Sequence, residues 1–165
     1  MDSYLSPEMK STGEAIGYDE KLHRAVYKAM IASGLKLKNY GTVLVSVADE
    51  DKEETVPLIR RFYNMGFNIE ASPLTGEVLK KNGIRTRIRH VPSEGSDELL
   101  ESIRAGYVSY VINTRAILSG VHYGNGVAIR QTAAAHGITM LTSLDTVRML
   151  LDVLEELTIG VAPIF

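Results

Sequence analysis

Regularly spaced glycines constrain the fold of this chain more than any other sequence feature. Each of them ends a stretch with helical periodicity: Gly34, Gly66, Gly83, Gly106 and Gly137. A glycine just past a helix can adopt the left-handed conformation that most other residues avoid. A short run of β-branched or aromatic residues follows each glycine, and these runs are 42–47, 67–71, 86–89, 108–113 and 138–141. The order helix, glycine, strand, helix predicts right-handed βα units and a parallel sheet, hence an α/β fold.

Composition limits the classes of protein that remain. The 165 residues suffice for one domain, and 45% hydrophobic with 23% charged residues is typical of a globular protein. The net charge of −2 gives no overall attraction for nucleic acid or an anionic membrane. The absence of cysteine excludes disulfides, cysteine metal sites and thiol nucleophiles. No apolar run approaches the ~20 residues of a membrane span, and the start lacks a signal-peptide pattern. We therefore expect a cytoplasmic protein.

Helical periodicity predicts which faces are buried. In 52–65 the apolar stripe is Val56, Ile59, Phe62 and Tyr63, with Arg60, Arg61 and Asn64 facing away. Asp51 is the expected N-cap, and Pro57 requires either a later start or a bend. After Ser143 the clearest stripe is Val147, Leu150, Leu151, Leu154 and Leu157. Ser72-Pro73 predicts an N-cap followed by proline at the first helical position.

The third predicted strand differs from the others because arginines alternate along it. Arg85, Arg87 and Arg89 occupy every second position. A central parallel strand is buried on both faces and should be almost wholly apolar. The pattern favours an edge strand, where long cations reach water and discourage aggregation. An anion-binding rim is the alternative.

Motifs of catalysis are missing from the sequence. The four histidines, His23, His90, His122 and His136, have no metal-ligand spacing. The sequence has no P-loop and no nucleophile elbow. Residues 124–129 begin like a dinucleotide-binding fingerprint but end in Ile129, so we interpret them as a loop entering a helix.

A ligand of an open parallel sheet binds at the carboxyl ends of the strands, where the strand order reverses. Hydroxyls, an amide, two cations and a helix N-terminus there would suit an oxyanion. The polar residues at those ends, taken strand by strand, are Ser46, Asp49, Lys52, Ser72, Thr75, Asn113, Thr114 and Arg115. Helix capping and turn formation are the plainer roles for Ser72 and for Asn113-Thr114.

These same segments carry a family resemblance. The stretches 44–54, 60–71, 110–114 and 141–146 resemble the carboxy-terminal, methylglyoxal-synthase-like regulatory domain of the carbamoyl-phosphate synthase large subunit. Residues 6–14 resemble the end of the preceding ATP-using synthetase domain. The resemblance implies that 1–19 belong to that preceding region, 20–157 to the regulatory domain and 158–165 to a tail.

The resemblance also implies a function. It implies a five-stranded, three-layer α/β/α domain that performs no chemistry and holds no cofactor, while ATP with magnesium or manganese acts elsewhere in the parent subunit. Expected partners are the rest of the large subunit and the glutaminase small subunit, in arginine and pyrimidine biosynthesis. The expected effector is UMP or IMP, or N-acetylglutamate as in the animal urea-cycle form. The implied effector-binding residues are Ser46, Lys52, Ser72, Thr75 and Asn113, with Thr114 and Arg115 beside them.

Departures from the family pattern keep other functions open. The threonine-rich turn after strand two is Ser72-Pro73-Leu74-Thr75 here, and an expected phosphate lysine is Val91. Losing that lysine removes a contact of roughly 1.5–3 kcal/mol, which Arg115 is in a position to replace. One alternative is a methylglyoxal synthase acting on dihydroxyacetone phosphate, although the Gly-Gly-Asp loop of that family is missing and Asp49 is the only nearby acid. The other is a docking or homo-oligomerisation module with an inactive pocket.

Overall fold

The computed structural model of the chain describes residues 37–114 and 121–158. It contains a five-stranded, wholly parallel sheet with the strand order β3-β2-β1-β4-β5. The strands are β1 (Thr42–Ser46), β2 (Asn68–Ala71), β3 (Arg87–Ile88), β4 (Val108–Asn113) and β5 (Thr139–Leu141). The helices are α1 (Lys52–Asn64), α2 (Pro73–Lys81), α3 (Glu98–Arg104), α4 (Val121–Ala135) and α5 (Leu144–Thr158). Short 3-10 turns precede α1 and α3, at Asp49–Asp51 and Pro92–Glu94.

Two hydrophobic cores, one on each face of the sheet, produce three layers. On the first face, Phe62 of α1, Leu79 of α2 and Leu150 of α5 pack on inward residues of β1 and β2. On the second face, Ile103 of α3 and Ile129 of α4 pack on the alternate residues of β1, β4 and β5. Because successive residues of a strand point to opposite faces, the central strands must be apolar throughout. The predicted α/β/α architecture with a parallel five-stranded sheet is confirmed.

The turn glycines behave as the spacing predicts. Gly66, Gly83, Gly106 and Gly137 have φ angles of 99, 79, 86 and 65°, respectively. At Gly66 the backbone reverses from α1 directly into β2, and only a residue without a Cβ adopts such an angle at no steric cost. Several predictions lie outside the described residues: Gly34, Arg115, His23, the segment 1–19 and the tail beyond Thr158.

Helix α1 differs from the prediction at its start and on its outer face. It begins at Lys52 and contains Pro57 in its interior, so a later start is wrong. The Asp51 side chain makes no capping hydrogen bond, because the chain is already helical at that residue within the preceding 3-10 turn. Tyr63, expected in the apolar stripe, is exposed.

Arg61 was predicted to face water, and it joins two helices instead. Its Nη2 donates to Asp152 Oδ1 at 2.7 Å and to Glu155 Oε1 at 2.6 Å, and its Nε donates to Glu155 Oε2 at 2.9 Å. Hydrogen bonding to Glu155, and then to Asp152, raises the pKa of the Arg61 guanidinium. Helices α1 and α5, which pack side by side on the first face of the sheet, are therefore joined by ion pairs as well as by apolar contacts. On α5 itself, Val147, Leu150, Leu151 and Leu154 are buried as predicted, whereas Leu157 is only partly buried.

Strand β3 and helix α4 each test a prediction made from the sequence. Strand β3 lies at the edge of the sheet, as the alternating arginines predict, although it is only two residues long. Residues 124–129 form part of the continuous helix α4, so the interpretation of them as a loop is wrong. None of the described helices is both long enough and apolar enough to cross a membrane.

The positions of Phe62 and Tyr63 predict that removing their rings has very different effects on the free energy of unfolding. Replacing Phe62, which is fully buried and contacts Phe67 and Tyr110, with alanine should lower the free energy of unfolding by about 3–5 kcal/mol. The matched change Tyr63→Ala, on the exposed side of the same helix, should cost less than about 1 kcal/mol. Urea denaturation followed by circular dichroism measures both, and similar losses would contradict the assignment of the core.

Candidate functional site

The carboxyl ends of β1, β2 and β4 meet at one edge of the sheet. Strand β1 pairs with β2 on one side and with β4 on the other, and its last residue Ser46 lies opposite Asn113. Val45 lies opposite Ala71, the residue before Ser72. The strand order reverses at β1, so this edge is the crevice where an open α/β sheet binds its ligand.

Two threonine hydroxyls hold the segment that follows β1. The N–H of Val47 donates to Thr75 Oγ1 at 3.2 Å, and the N–H of Ala48 donates to Thr114 Oγ1 at 2.9 Å. Thr75 comes from the first turn of α2 and Thr114 follows β4, so the two side chains reach the loop from opposite sides. A buried N–H needs an acceptor, and these hydroxyls satisfy two of them. The loop is thereby fixed between its neighbours.

The hydroxyl of Thr75 has a defined direction. It accepts from Val47 and also from Ser72 Oγ, which lies 3.3 Å away. A hydroxyl has one proton to donate and two lone pairs to accept with. Since both acceptor positions are used, the Thr75 proton remains available to a ligand oxygen. Ser72 occupies the predicted N-cap position of α2, yet its side chain makes no capping hydrogen bond because it contacts Thr75.

The N-terminus of α2 adds backbone donors beside these hydroxyls. Pro73 is the first helical residue, and the first intrahelical bond runs from the Gly76 N–H to the Ser72 carbonyl at 2.7 Å. The N–H groups of Leu74 and Thr75 precede that bond and have no acceptor within the helix. Free N–H groups and the positive end of the helix dipole favour an anion at this position.

Asn113 has a buried amide oxygen with an unmet need for a donor. Its Nδ2 donates to the Ser46 carbonyl at 2.9 Å, and this contact fixes the amide orientation, because a flipped amide would oppose two oxygens. Its Oδ1 is buried and finds no donor within 37–114 and 121–158. A buried acceptor left without a donor costs about 1–3 kcal/mol. A ligand hydroxyl or amine would satisfy it.

Gly126 of α4 leaves space beside that oxygen. A Cβ added there would lie 3.4 Å from Asn113 Oδ1 and 3.2 Å from Arg130 Nη1. Gly126 therefore lies beside Asn113 Oδ1, and the Arg130 guanidinium lies next to the same glycine. Sequence reasoning missed Gly126 and Arg130 because it interpreted 124–129 as a loop. The spacing of four residues between them was the signal, since such residues share a helix face.

Lys52 and Asp49 come shortly after the loop that follows β1. Lys52 is the first residue of α1, and its ammonium forms an ion pair with Asp49. The Lys52 side chain is 12% exposed and the Asp49 side chain is 76% exposed. Among the predicted site residues, Ser72 is hydrogen-bonded to Thr75, and Asn113 is hydrogen-bonded to Ser46. Thr114 accepts a hydrogen bond from the loop that follows β1. Lys52 makes none of these contacts.

Other candidate ligand groups do not extend this site. Val91, at the position of the expected phosphate lysine, is buried among the α3 and α4 residues. His90 and His136 are exposed, and no group of metal-ligating side chains that could hold a metal ion occurs in the described part of the chain. The site can therefore donate several hydrogen bonds to an anionic group of a ligand, and Asn113 Oδ1 can accept one from a donor of the same ligand.

Comparisons with known proteins agree with this fold. The model of the family described as "MGS-like domain" matches residues 54–142. The structure of methylglyoxal synthase from Elizabethkingia anophelis NUHP1 is similar, with a TM-score of 0.56, 18% identity, and coverage of 70% of this chain and 79% of that one. The structure of ForH is similar as well, with a TM-score of 0.55, 17% identity and coverage of 72% and 82%. Identities this low establish a common fold alone, and the predicted methylglyoxal-synthase-like fold is confirmed.

The hydroxyl of Thr75 gives a direct test of the site's framework. Thr75→Val keeps the shape but removes the acceptor of the Val47 N–H, so the free energy of unfolding should fall by about 1–3 kcal/mol. Thr75→Ser keeps the hydroxyl and loses one methyl, which should cost about 1 kcal/mol or less. Urea denaturation of both variants compares them. A serine variant as unstable as the valine variant would show that the hydrogen bond does not hold the loop.

Proposed function

The chain belongs to the MGS-like domain family, and from that membership we propose that it is an effector-binding regulatory domain. Its ligand is a small molecule with an anionic group and a hydroxyl donor, and a nucleoside monophosphate such as UMP or IMP has both. The parent protein is the large subunit of a carbamoyl-phosphate synthase, as the sequence motifs at 44–54 and 60–71 suggest. The catalytic ATP sites belong to other parts of that subunit.

The buried Oδ1 of Asn113 is the observation that carries this proposal. A purely apolar ligand has no donor for that oxygen, whereas a ribose hydroxyl has one. The N–H groups at the start of α2 and the Thr75 proton then receive the phosphate. One ligand thus meets both requirements of the site, with its phosphate near Ser72 and its sugar near Asn113.

The charges around the site support the proposal of binding without chemistry. Proton abstraction from a substrate requires a carboxylate or other base held within about 3 Å of the substrate, with a pKa matched to the task. Asp49, the acidic residue that the sequence places nearby, is exposed and paired with Lys52. The buried carboxylate of Glu70 is bound by Arg89 and Tyr107 on the second face of the sheet. Neither of these two groups is placed as a base.

Regulation requires more than binding. An effector shifts activity elsewhere only to the extent that it binds one arrangement of the subunit more tightly than another, typically by about 1–3 kcal/mol. The rest of the large subunit and the glutaminase small subunit are the partners through which such a preference would act. Arg115, beside Asn113 in sequence, supplies in this proposal the cation that Val91 does not.

Calorimetric titration with UMP and IMP tests the binding site. We expect at least one of the two nucleotides to bind the wild type, and Asn113→Ala to weaken that binding about fivefold to tenfold through loss of a buried hydrogen bond. The matched control is Asn64→Ala, on the exposed end of α1. Thermal melts verify that both variants fold. Equal affinities of the two variants, or no binding of either nucleotide, would contradict the proposal.

A second assay separates this function from catalysis on the same fold. The purified chain should produce no methylglyoxal from dihydroxyacetone phosphate above the rate of the spontaneous reaction. A methylglyoxal synthase of known activity serves as the positive control. Turnover that disappears in Asn113→Ala would replace the regulatory proposal with an enzymatic one.

A further inference from the structure

A groove runs along the β3 edge of the sheet, away from the candidate site. Its volume is about 830 Å³, within the range of cavities that bind small molecules. Thr42, Asn68 and Tyr107 line it, and they lie at or directly before the first residues of β1, β2 and β4. The groove therefore opens toward the amino ends of the strands, whereas the effector site lies at their carboxyl ends.

The alternating arginines all line this groove. Arg87 pairs with Glu70 in the register between β3 and β2, so the two side chains share a face of the sheet. Arg85 and Arg89, two residues to either side, belong to the same alternation and also line the groove. Lys80, in the last turn of α2, adds a fourth cation. Glu70 is the only carboxylate among the lining residues.

That carboxylate is already used. Arg89 Nε donates to Glu70 Oε1 at 2.9 Å, and the Tyr107 hydroxyl donates to Glu70 Oε2 at 2.8 Å. The Arg89 Nη2 reaches the Tyr107 oxygen at 3.3 Å and closes the cluster. Glu70 is 5% exposed, and hydrogen bonding to it raises the pKa of Arg89. The cluster holds the Tyr107 side chain in the wall of the groove. The negative charge of Glu70 is balanced by Arg89, so it does not compensate the other cations of the groove.

The remaining cations face the groove without a compensating charge. Arg85, Arg87 and Lys80 are exposed, and within 37–114 and 121–158 none of them forms an ion pair. Like charges held together repel one another, and a bound dianion would relieve that repulsion. Edge protection against aggregation accounts for arginines on a strand, but it does not require a concave surface with aromatic walls. Tyr63 and Tyr107 supply those walls, at 37% and 41% exposure.

We propose that this groove is a second binding site, which takes a phosphate monoester carried on a planar ring. The guanidinium groups of Arg85 and Arg87 bind the phosphate oxygens, since a guanidinium matches two of them at once. The ring of the ligand packs against Tyr63 or Tyr107, which are exposed and line the groove. The site is independent of the nucleotide site near Asn113, because it involves different strand ends and none of the same residues.

Phenyl phosphate is the probe that tests the proposal. Titrated into the ¹⁵N-labelled chain, it should shift the backbone amides of 85–89 and Tyr107 in two-dimensional NMR spectra. Arg87→Gln should weaken the fitted dissociation constant about tenfold by removing a charge-assisted contact. The matched control, Lys81→Gln, removes one exposed charge from α2 outside the groove and should leave the constant unchanged. The spectrum of each variant also reports that it is folded.

Phenol, the same ring without phosphate, should not produce these shifts. The proposal is overturned if phenyl phosphate causes no shift at 85–89, or if its shifts are confined to 72–76 and Asn113. Equal dissociation constants for Arg87→Gln and Lys81→Gln would overturn it as well, and the arginines would then serve only to protect the edge. Asn113→Ala should leave the groove shifts intact, so failure of the nucleotide site does not affect this outcome.

Discussion

The pairing of β1 with a parallel neighbour on each side is the constraint on which the rest of the structure depends. Val43 and Val45 are wholly buried between the helical layers, and the register with β2 and β4 brings Ser46, Ser72 and Asn113 to one edge. Apolar burial on both faces keeps β1 in this register, because a shift by one residue would move every side chain to the other face. The polar ends of the strands are therefore placed by the core.

At that edge, hydrogen bonds hold the loop after β1 and the amide of Asn113 in defined positions. The loop after β1 depends on Thr75 and Thr114 for two of its N–H partners, and Asn113 is oriented by the Ser46 carbonyl. These contacts use the acceptor positions of the two threonine hydroxyls and the Nδ2 of Asn113 within the protein. The atoms left over are the Thr75 proton, the free N–H groups of α2 and the Asn113 Oδ1. These donors and this one acceptor are the atoms that the proposed nucleotide effector would contact.

Much of the architecture could be predicted from the sequence, because the glycines and apolar stripes act locally. Gly66 and Gly137 marked helix ends, and the arginines at 85, 87 and 89 placed β3 at the edge. Individual contacts between neighbouring helices could not be predicted. Arg61 was expected to face water because helical periodicity cannot show that Asp152 and Glu155 lie opposite.

For the candidate site, the residues at the strand ends could be predicted, whereas the contacts of the neighbouring helices could not. Ser46 and Asn113 end β1 and β4, and Ser72 and Thr75 come soon after β2, so topology alone brings them together. The position of Gly126 was hidden because a glycine-rich segment predicts a loop, whereas the structure has a continuous helix there with Asn113 beside Gly126. Lys52 has the right position in sequence, but its ion pair with Asp49 is a local contact that strand order does not reveal.

The most direct measurement of the central claim is a crystal structure of the chain with bound UMP or IMP. The account predicts the phosphate at the N–H groups of Leu74 and Thr75, and a ribose hydroxyl within about 3 Å of Asn113 Oδ1. A nucleotide bound away from the carboxyl ends of β1, β2 and β4, or one that leaves the Asn113 oxygen without a donor, would contradict it.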